Sequence, residues 1–188
     1  MEKFIIETKR LVIRPLTQGD YQAWYQGFDG RHESQHAFDD GRLDMTVCDS
    51  QWFQNLVVRH QELWDKDDTY IFAVFDKRND QHLGMLNIAT LARTNMQWGE
   101  LGYFIHNQHW RKGFAYEALS ALVEASWKEL GFHHLEAQIS PENRASQQLA
   151  EKLGFSYECR RPKFAFEAGQ WVDKDIYSKN LHDQPLSY

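Results

Sequence analysis

The stretch QHWRKGFAYEAL, residues Gln108–Leu119, decides the fold because a strand pattern ends before it and a helix pattern starts inside it. Alternating apolar residues precede the stretch, as in a half-buried strand, at Leu101, Tyr103 and Ile105. The residues that follow repeat at helical spacing and form one apolar face, at Leu119, Leu122, Val123, Trp127 and Leu130. The sequence therefore predicts a strand-to-helix junction.

The start of this predicted helix has the features of an anion site. The first backbone N–H groups of a helix lack intrahelical partners, and no Ser, Thr or Asp directly precedes this one. The helix dipole, these amides and the cations Arg111 and Lys112 favour an anion such as a pyrophosphate, and Gly113 allows close approach. The alternative is a helix that begins at Asn107 and contains Gly113, which costs about 1 kcal/mol relative to Ala.

The composition of the whole chain indicates one globular domain, residues 1–188. Hydrophobic residues make up 42% and charged residues 26% of the sequence, and no apolar run is long enough for a membrane span. Cys48 and Cys159 match no metal or redox spacing, so we expect a reducing cytoplasm. The net charge of −6 argues against direct nucleic-acid binding and favours a cationic partner.

Periodicity along the chain predicts about seven strands and four helices in the order β-α-α-β-β-β-α-β-α-β-β. The expected strands cover residues 8–16, 70–76, 82–91, 98–106, 134–139, 157–166 and 171–178. The helices are expected to begin near Asp20, at a capping Ser50 with Trp52 on the buried face, inside the opening stretch, and after Asn143. Acidic, poorly periodic residues 29–49 predict a long loop.

Two further motifs each have more than one interpretation. Asn143 is followed three residues later by Ser146, and then by Glu-Lys-Leu-Gly-Phe at 151–155. A helix capped by Asn143 and ended by Gly154 explains this pattern without a ligand. Residues 32–36 spell His-Glu-x-x-His, the zinc-protease spacing, but they lack the apolar framing of a buried helix and a third ligand.

The run Trp-Arg-Lys-Gly-Phe-Ala at 110–115 resembles the acyl-CoA loop of the GNAT superfamily of N-acetyltransferases, whose pattern is Gln/Arg-x-x-Gly-x-Gly/Ala. Trp110 stands where Gln or Arg is usual, a departure similar to the RimJ/RimL-like branch that acetylates the N-termini of ribosomal proteins. The motif at 143–155 resembles the second acyl-CoA motif of the same family. The element order is similar over nearly the full length. The resemblance implies an α/β (α+β) fold: a single GNAT-type domain with a mixed twisted sheet flanked by helices.

The same resemblance implies acetyl-CoA as co-substrate, no metal, and a set of binding residues. Backbone groups of the strand before the loop are expected to hydrogen-bond the pantetheine arm, and the loop and the second motif are expected to hold the rest. The implied residues are Tyr103, Phe104, Ile105, Arg111, Lys112, Gly113, Phe114, Ala115, Tyr116, Asn143 and Ser146.

The resemblance also implies two catalytic residues. Many family members carry a Tyr that protonates the departing thiolate, but here that position is Ala150, and Ser146 matches the hydroxyl of the Rim-like branch. Family members often carry a base where Glu100 stands, to take a proton from the acceptor amine. The alternatives for Glu100 are an edge-of-sheet carboxylate in solvent or in a salt bridge, with a carboxylate of the 29–49 loop as the base.

The acceptor implied by the Rim-like features is the N-terminal amine of a basic protein, such as a ribosomal one. An α-amino group (pKa ~7.7–8.0) is easier to deprotonate than a lysine (~10.4). The acidic loop fits a cationic partner, through Asp29, Asp39, Asp40, Asp44 and Asp49, or is simply a solvated surface. A small amine, polyamine or aminoglycoside acceptor, a CoA-binding module without turnover, and a monomer or homodimer all stay open.

Overall fold

The computed structural model describes residues 4–184 and contains one mixed sheet of eight strands with four α-helices. The sheet order is β1-β2-β3-β4-β5-β6-β8-β7, in which β5 and β6 are parallel and β1–β2, β2–β3, β6–β8 and β7–β8 are antiparallel. The strands are β1 Ile6–Glu7, β2 Leu11–Arg14, β3 Thr69–Asp76, β4 His82–Ala92, β5 Trp98–Ile105, β6 His134–Ile139, β7 Ser156–Glu167 and β8 Gln170–Asn180. The helices are α1 Tyr21–Asp29, α2 Ser50–Asp65, α3 Phe114–Lys128 and α4 Arg144–Lys152.

The predicted α/β class and element order are confirmed, but the expected count of about seven strands is one short. The additional strand is β1, which precedes the first predicted strand at 8–16, and that predicted strand is shortened to β2 because the chain turns at residues 8–10. Within that turn the Thr8 hydroxyl oxygen accepts hydrogen bonds from the amides of Arg10 (3.3 Å) and Leu11 (2.9 Å). A side-chain acceptor that competes for backbone donors is a common way to interrupt a strand.

The chain forms two compact units by its internal contacts: residues up to 88 together with 103–122, and residues 89–102 together with those from 123 onward. The core of the first unit lies between α1, α2 and the strands β2 and β3. Its fully buried aromatic centre is Phe53, against which Trp24 packs at a ring-centroid distance of 5.0 Å. Burial of such apolar surface, at about 25 cal/mol per Å², is what fixes these helices on the sheet.

Helix α2 differs from its prediction at two residues. Its N-cap is Asp49, whose carboxylate accepts the amide of Trp52 at 2.8 Å, so Ser50 is the first helical residue and not the cap. Trp52 was expected on the buried face but is 41% exposed, and it stacks on Trp24 at 5.6 Å. Helical spacing placed Trp52 at the border of the apolar stripe, where tertiary contacts decide exposure.

The expected loop between α1 and α2 is confirmed as non-helical, and it is fastened by Asp39. The Asp39 carboxylate, with no exposed surface, accepts hydrogen bonds from the Arg31 guanidinium, the Asn107 amide and the backbone amides of Gln35 and Gly41, at 2.9–3.0 Å. Burial alone would raise the pKa of this carboxyl, but these four donors together lower it to about 2. Asp39 therefore holds the loop together.

In the second unit, β6 pairs with β8 over its whole length, and α4 packs beside these strands. Gly131 and Gly154, the expected helix stops, adopt left-handed conformations with φ of 72° and 83°. The Lys179 ammonium donates to the carbonyl of Leu153 at 2.6 Å, which satisfies an acceptor at the end of α4. Across residues 4–184, no helix combines the length and the apolar character that membrane crossing requires.

Candidate acetyl-CoA and catalytic sites

Helix α3 begins at Phe114, directly after the predicted anion-binding turn. Residues Asn107–His109 form a separate 3₁₀ turn, so the alternative of one helix that begins at Asn107 is wrong. Arg111 and Gly113 both adopt left-handed φ angles, 59° and 77°. The amide of Glu117 makes the first helical hydrogen bond, to the Gly113 carbonyl at 3.2 Å. The amides of residues 114–116 therefore form the first turn, as an anion site requires.

The side chain of Arg10 adds a third cation to this turn, and no motif near residue 10 predicts it. One Arg10 nitrogen donates to the Lys112 carbonyl at 2.8 Å, and another lies 3.4 Å from where a Cβ on Gly113 would stand. The guanidinium also covers the ring of Phe114 at 4.6 Å. Arg111 and Lys112 are exposed, and the Arg10 side chain is 38% exposed. Three cations beside first-turn amides fit the diphosphate of acetyl-CoA.

The backbone of the expected cofactor strand is held by close contacts within the first unit. The Trp110 indole N–H donates to the Ile105 carbonyl at 2.6 Å, so this acceptor of the strand is already engaged. A Cβ on Gly84 would stand 2.2 Å from the Phe104 carbonyl oxygen, so only Gly allows this approach. The position of residues 103–105 is thus held by Trp110 and by the close approach of Gly84.

The turn before α3 also contacts the loop that contains the His-Glu-x-x-His spacing. Asn107 accepts the His32 amide and donates to the His32 carbonyl, each at 2.8 Å, and His36 stacks on Trp110 at 5.0 Å. Residues 31–36 form no helix, so the two histidines do not share the helical face that the zinc-protease motif needs. Within residues 4–184, no group of three or more His, Cys, Asp or Glu is arranged to hold a metal.

Glu100 lies in the second unit, half-buried on the interior strand β5, and not at an edge of the sheet. Glu100 pairs with Glu136 of β6, and these two residues end the parallel ladder between the strands. Arg161 binds the buried Glu136 carboxylate through two nitrogens, at 2.9 and 3.1 Å. Burial raises the pKa of Glu100, the Glu136 charge raises it further, and Lys174 and Arg161 partly oppose this. A carboxylate with a raised pKa in this setting is a stronger base than an exposed one.

At the start of α4, also in the second unit, Asn143 acts as the helix cap. Its side-chain oxygen accepts the amide of Ser146 at 3.2 Å, as the capping interpretation of the sequence expected. Ser146 is half-buried in the first turn. Ala150 is only 6% exposed, so a Tyr at this position would require the surrounding core to move.

The structure therefore divides the expected site residues into two groups. Tyr103, Phe104 and Ile105 lie with the turn residues 111–116 in the first unit. Glu100, Asn143 and Ser146 lie in the second. Sequence reasoning missed Arg10 because nothing near residue 10 marks it; its partners lie more than 100 residues away.

Comparison with known proteins identifies the family of the chain. The model of the acetyltransferase (GNAT) domain family matches residues 10–156. The Bacillus subtilis protein named "Probable N-acetyltransferase YjcK" is 31% identical over 176 residues, which cover 92% of this chain and 94% of that protein. The Escherichia coli enzyme named "[Ribosomal protein uS5]-alanine N-acetyltransferase" is 27% identical, with 91% and 88% of the two chains covered.

A solved structure has the same fold. Mycobacterium smegmatis RimJ in complex with CoA-disulfide superposes with a TM-score of 0.75 at 17% identity, over 94% of this chain and 85% of that one. The family match covers most of the chain, including the helix-start turn and the strand that carries Glu100. The chain belongs to the GNAT family, and it is an acetyl-CoA-dependent N-acetyltransferase.

Proposed function

We propose that this enzyme acetylates the N-terminal α-amino group of a protein, with a ribosomal protein as the first candidate. The neutral amine attacks the acetyl carbonyl carbon directly, the carbon–sulfur bond breaks, and CoA leaves as the thiolate or thiol. The observation that carries the proposal is the half-buried Glu100 on β5, whose pKa is raised by burial and by Glu136. Such a carboxylate suits removal of a proton from an α-amino group (pKa ~7.7–8.0) better than from a lysine (~10.4).

Arg10, Arg111 and Lys112, with the first-turn amides of α3, bind the diphosphate in this proposal. Backbone groups of residues 103–105 hold the pantetheine arm, and the engaged Ile105 carbonyl contributes least. Ser146 donates a hydrogen bond to the leaving sulfur. Free thiols titrate near ~8.5, so a hydrogen bond without full proton transfer is enough to stabilise the thiolate at neutral pH.

Support for a ribosomal acceptor comes from relatives more than from charge. Asp39 is buried in its own hydrogen-bond network and cannot attract a cationic partner. The Asp49 carboxylate caps α2. The exposed loop carboxylates that remain for this role are Asp29, Glu33, Asp40 and Asp44. The name of the Escherichia coli relative, which includes a ribosomal protein, is the reason for choosing a ribosomal protein as the first candidate acceptor.

The decisive experiment measures thiol release from acetyl-CoA with a panel of acceptors. The panel contains peptides with free N-termini, the same peptides N-terminally blocked but with a free lysine, and spermidine. We expect turnover of free N-termini and a loss of about 100-fold in kcat/KM for Glu100→Gln. Glu129→Gln, which changes an exposed carboxylate of the same unit, is the matched control and should retain activity.

Two results would contradict the proposal. Faster turnover of spermidine or of the lysine side chain than of any N-terminus would assign the enzyme to small amines or lysines. CoA binding without turnover on any acceptor, unchanged by Glu100→Gln, would contradict the proposed catalysis itself.

A further inference from the structure

The first unit contains an apolar pocket of about 500 Å³, which we call the aromatic pocket. Its wall combines large rings and sulfur-containing or aliphatic side chains from α1, α2, β4 and β5. Among its lining residues are Trp24, Phe28, Trp52, Met85 and Phe104. The volume falls within the range of ligand sites, about 300–1,000 Å³, and such sites are typically apolar with a few polar groups.

Trp52 leaves part of this wall exposed to solvent. It is 41% exposed although it stacks on the buried Trp24 at 5.6 Å. Leu43 on the same pocket is also exposed, at 36%. Rings that are partly exposed and face a concave space gain free energy when an apolar ligand covers them.

His60 is a polar member of the wall, and its Nδ1 lacks a hydrogen-bond partner within the described part of the chain. The residue is 9% exposed, and its Nδ1 is buried without a hydrogen-bond partner among residues 4–184. Burial, with a smaller effect of Arg59, lowers the pKa of His60 to about 4, so the ring is neutral at pH 7. A buried polar atom without a partner costs about 1–3 kcal/mol, which a ligand that supplies the partner recovers.

The charge of the pocket selects against polycations. Asp44 is the one carboxylate among its lining residues, and it is exposed. A polyamine or aminoglycoside would bring several charges to a largely apolar wall, where they would lose hydration without ion pairs. A ligand with one amine and one large uncharged group matches the lining better.

Phe104 connects the pocket to the acetyl-transfer chemistry. The residue lines the aromatic pocket and also belongs to the segment 103–105 that we propose holds the pantetheine arm. A ligand in the aromatic pocket therefore contacts the strand proposed to bind acetyl-CoA. Because Phe104 belongs to both, we assign the aromatic pocket to the binding of the acceptor amine.

We propose, resting on the function proposed above, that the aromatic pocket holds the first side chain of an acceptor peptide. That side chain is large and apolar, and a hydrogen-bonding tip such as the tyrosine hydroxyl pairs with the His60 imidazole. The acceptor is thus a peptide N-terminus that begins with a residue such as Tyr, Phe, Met or Leu, with Tyr preferred.

The test compares kcat/KM for peptides that differ only in the first residue: Tyr, Phe, Leu, Ala and Lys, with tyramine and spermidine as free amines. We expect Tyr to exceed Ala at least tenfold, and Tyr to exceed Phe by about fivefold, the effect of one hydrogen bond. Trp52→Ala should lower kcat/KM for the Tyr peptide about tenfold and that for the Ala peptide much less. His60→Leu should abolish the preference for Tyr over Phe.

Val58→Ala is the matched control, because Val58 is 50% exposed on the same helix and does not line the pocket. Equal turnover of Ala and Tyr peptides, unaffected by Trp52→Ala, would overturn this inference and leave acetyl transfer standing. Faster turnover of tyramine than of the Tyr peptide would overturn the peptide as acceptor in favour of a small aromatic amine. Binding of CoA with no turnover of any amine would overturn the proposed function. A tryptophan fluorescence change on addition of the Tyr peptide, absent in Trp52→Phe, would then report the pocket separately.

Discussion

Arg10 and Glu117 are 107 residues apart in the chain and contact each other at two points. The Arg10 amide donates to one Glu117 carboxylate oxygen at 2.9 Å, and its Nε donates to the other at 2.6 Å. The Thr8 hydroxyl adds a third donor at 2.6 Å. Burial would raise the pKa of Glu117, but the donors outweigh it and lower that pKa. The acidic side chain in the first turn of α3 thereby holds a cation at the anion site.

Substitutions of Arg10 and Glu117 should separate two effects, the charge that Arg10 brings to the diphosphate site and the anchoring of Arg10 by Glu117. Arg10→Ala removes a cation from the diphosphate site, so we expect CoA affinity to fall by about five- to tenfold, which is the effect of about 1–1.4 kcal/mol. Glu117→Gln keeps the cation but weakens its anchor, and should lower Tm by about 2–4 °C. Calorimetric titration with CoA and thermal melts check both, and unchanged CoA affinity in Arg10→Ala would remove Arg10 from the site.

Arg111 offers a second test, because it combines a cation with a left-handed backbone. Arg111→Gly should relieve about 1 kcal/mol of backbone strain while it lowers CoA affinity about tenfold. Lys163→Gly is the control: Lys163 is exposed and has a φ of 48°, so it offers the same relief without a proposed ligand. For Arg111→Gly, the free energy of unfolding measured with denaturant should rise while the CoA affinity measured by titration falls. For Lys163→Gly, only the free energy of unfolding should rise.

The Glu100–Glu136 pair predicts the pH dependence of turnover. If Glu100 acts as the base, kcat/KM rises as its carboxyl loses a proton, and its raised pKa places that rise above the usual range. Glu136→Gln removes a negative neighbour and leaves the Arg161 charge uncompensated, so both effects lower the pKa of Glu100. The rise should therefore shift to lower pH. The profile is measured at saturating acetyl-CoA, with melts to verify folding, and an unmoved profile would exclude Glu136 as the cause.

Asp39 should be the most sensitive carboxylate of the loop after α1. Asp39→Asn leaves the buried Arg31 without its ion-pair partner, and we expect a loss of about 3 kcal/mol in the free energy of unfolding. Asp40→Asn changes the exposed neighbour and should stay within about 0.5 kcal/mol. Urea unfolding of the three proteins decides the matter; equal midpoints would mean that the loop does not depend on Asp39.

Three buried histidines should make the fold sensitive to acid. Burial lowers the pKa of His60 to about 4, of His82 to about 3 and of His106 to about 2, in the last case with help from the neighbouring His82. Their stabilising effect is complete above the unfolded value of 6.5 and is lost as the pH falls below it, because only the unfolded state takes up protons. Each contributes a slope of about 1.4 kcal/mol per pH unit there.

Melts between pH 7.5 and 5 measure this slope. His60→Leu should reduce this slope by the contribution of one proton. A slope that His60→Leu does not alter would show that His60 takes up its proton equally in the folded and unfolded states.

Periodicity predicted most of the elements because it reports local burial. The strand at 134–139 and the helix stops at Gly131 and Gly154 follow from alternation and from glycine's freedom at positive φ. Contacts between distant parts of the chain leave no such trace. The Arg10–Glu117 pair and the hydrogen bond from Asn107 to Asp39 each depend on partners that no window of neighbouring residues contains.

The Asn107 side chain joins Asp39 and the backbone of His32 to the turn that leads into α3. An engineer who wished to exchange the segment after α1 for that of another acetyltransferase would therefore have to transplant more than the segment. The graft would have to include three residues together, Arg31, Asp39 and Asn107. If any one of them were missing, the hydrogen bonds that hold the segment in place would be lost.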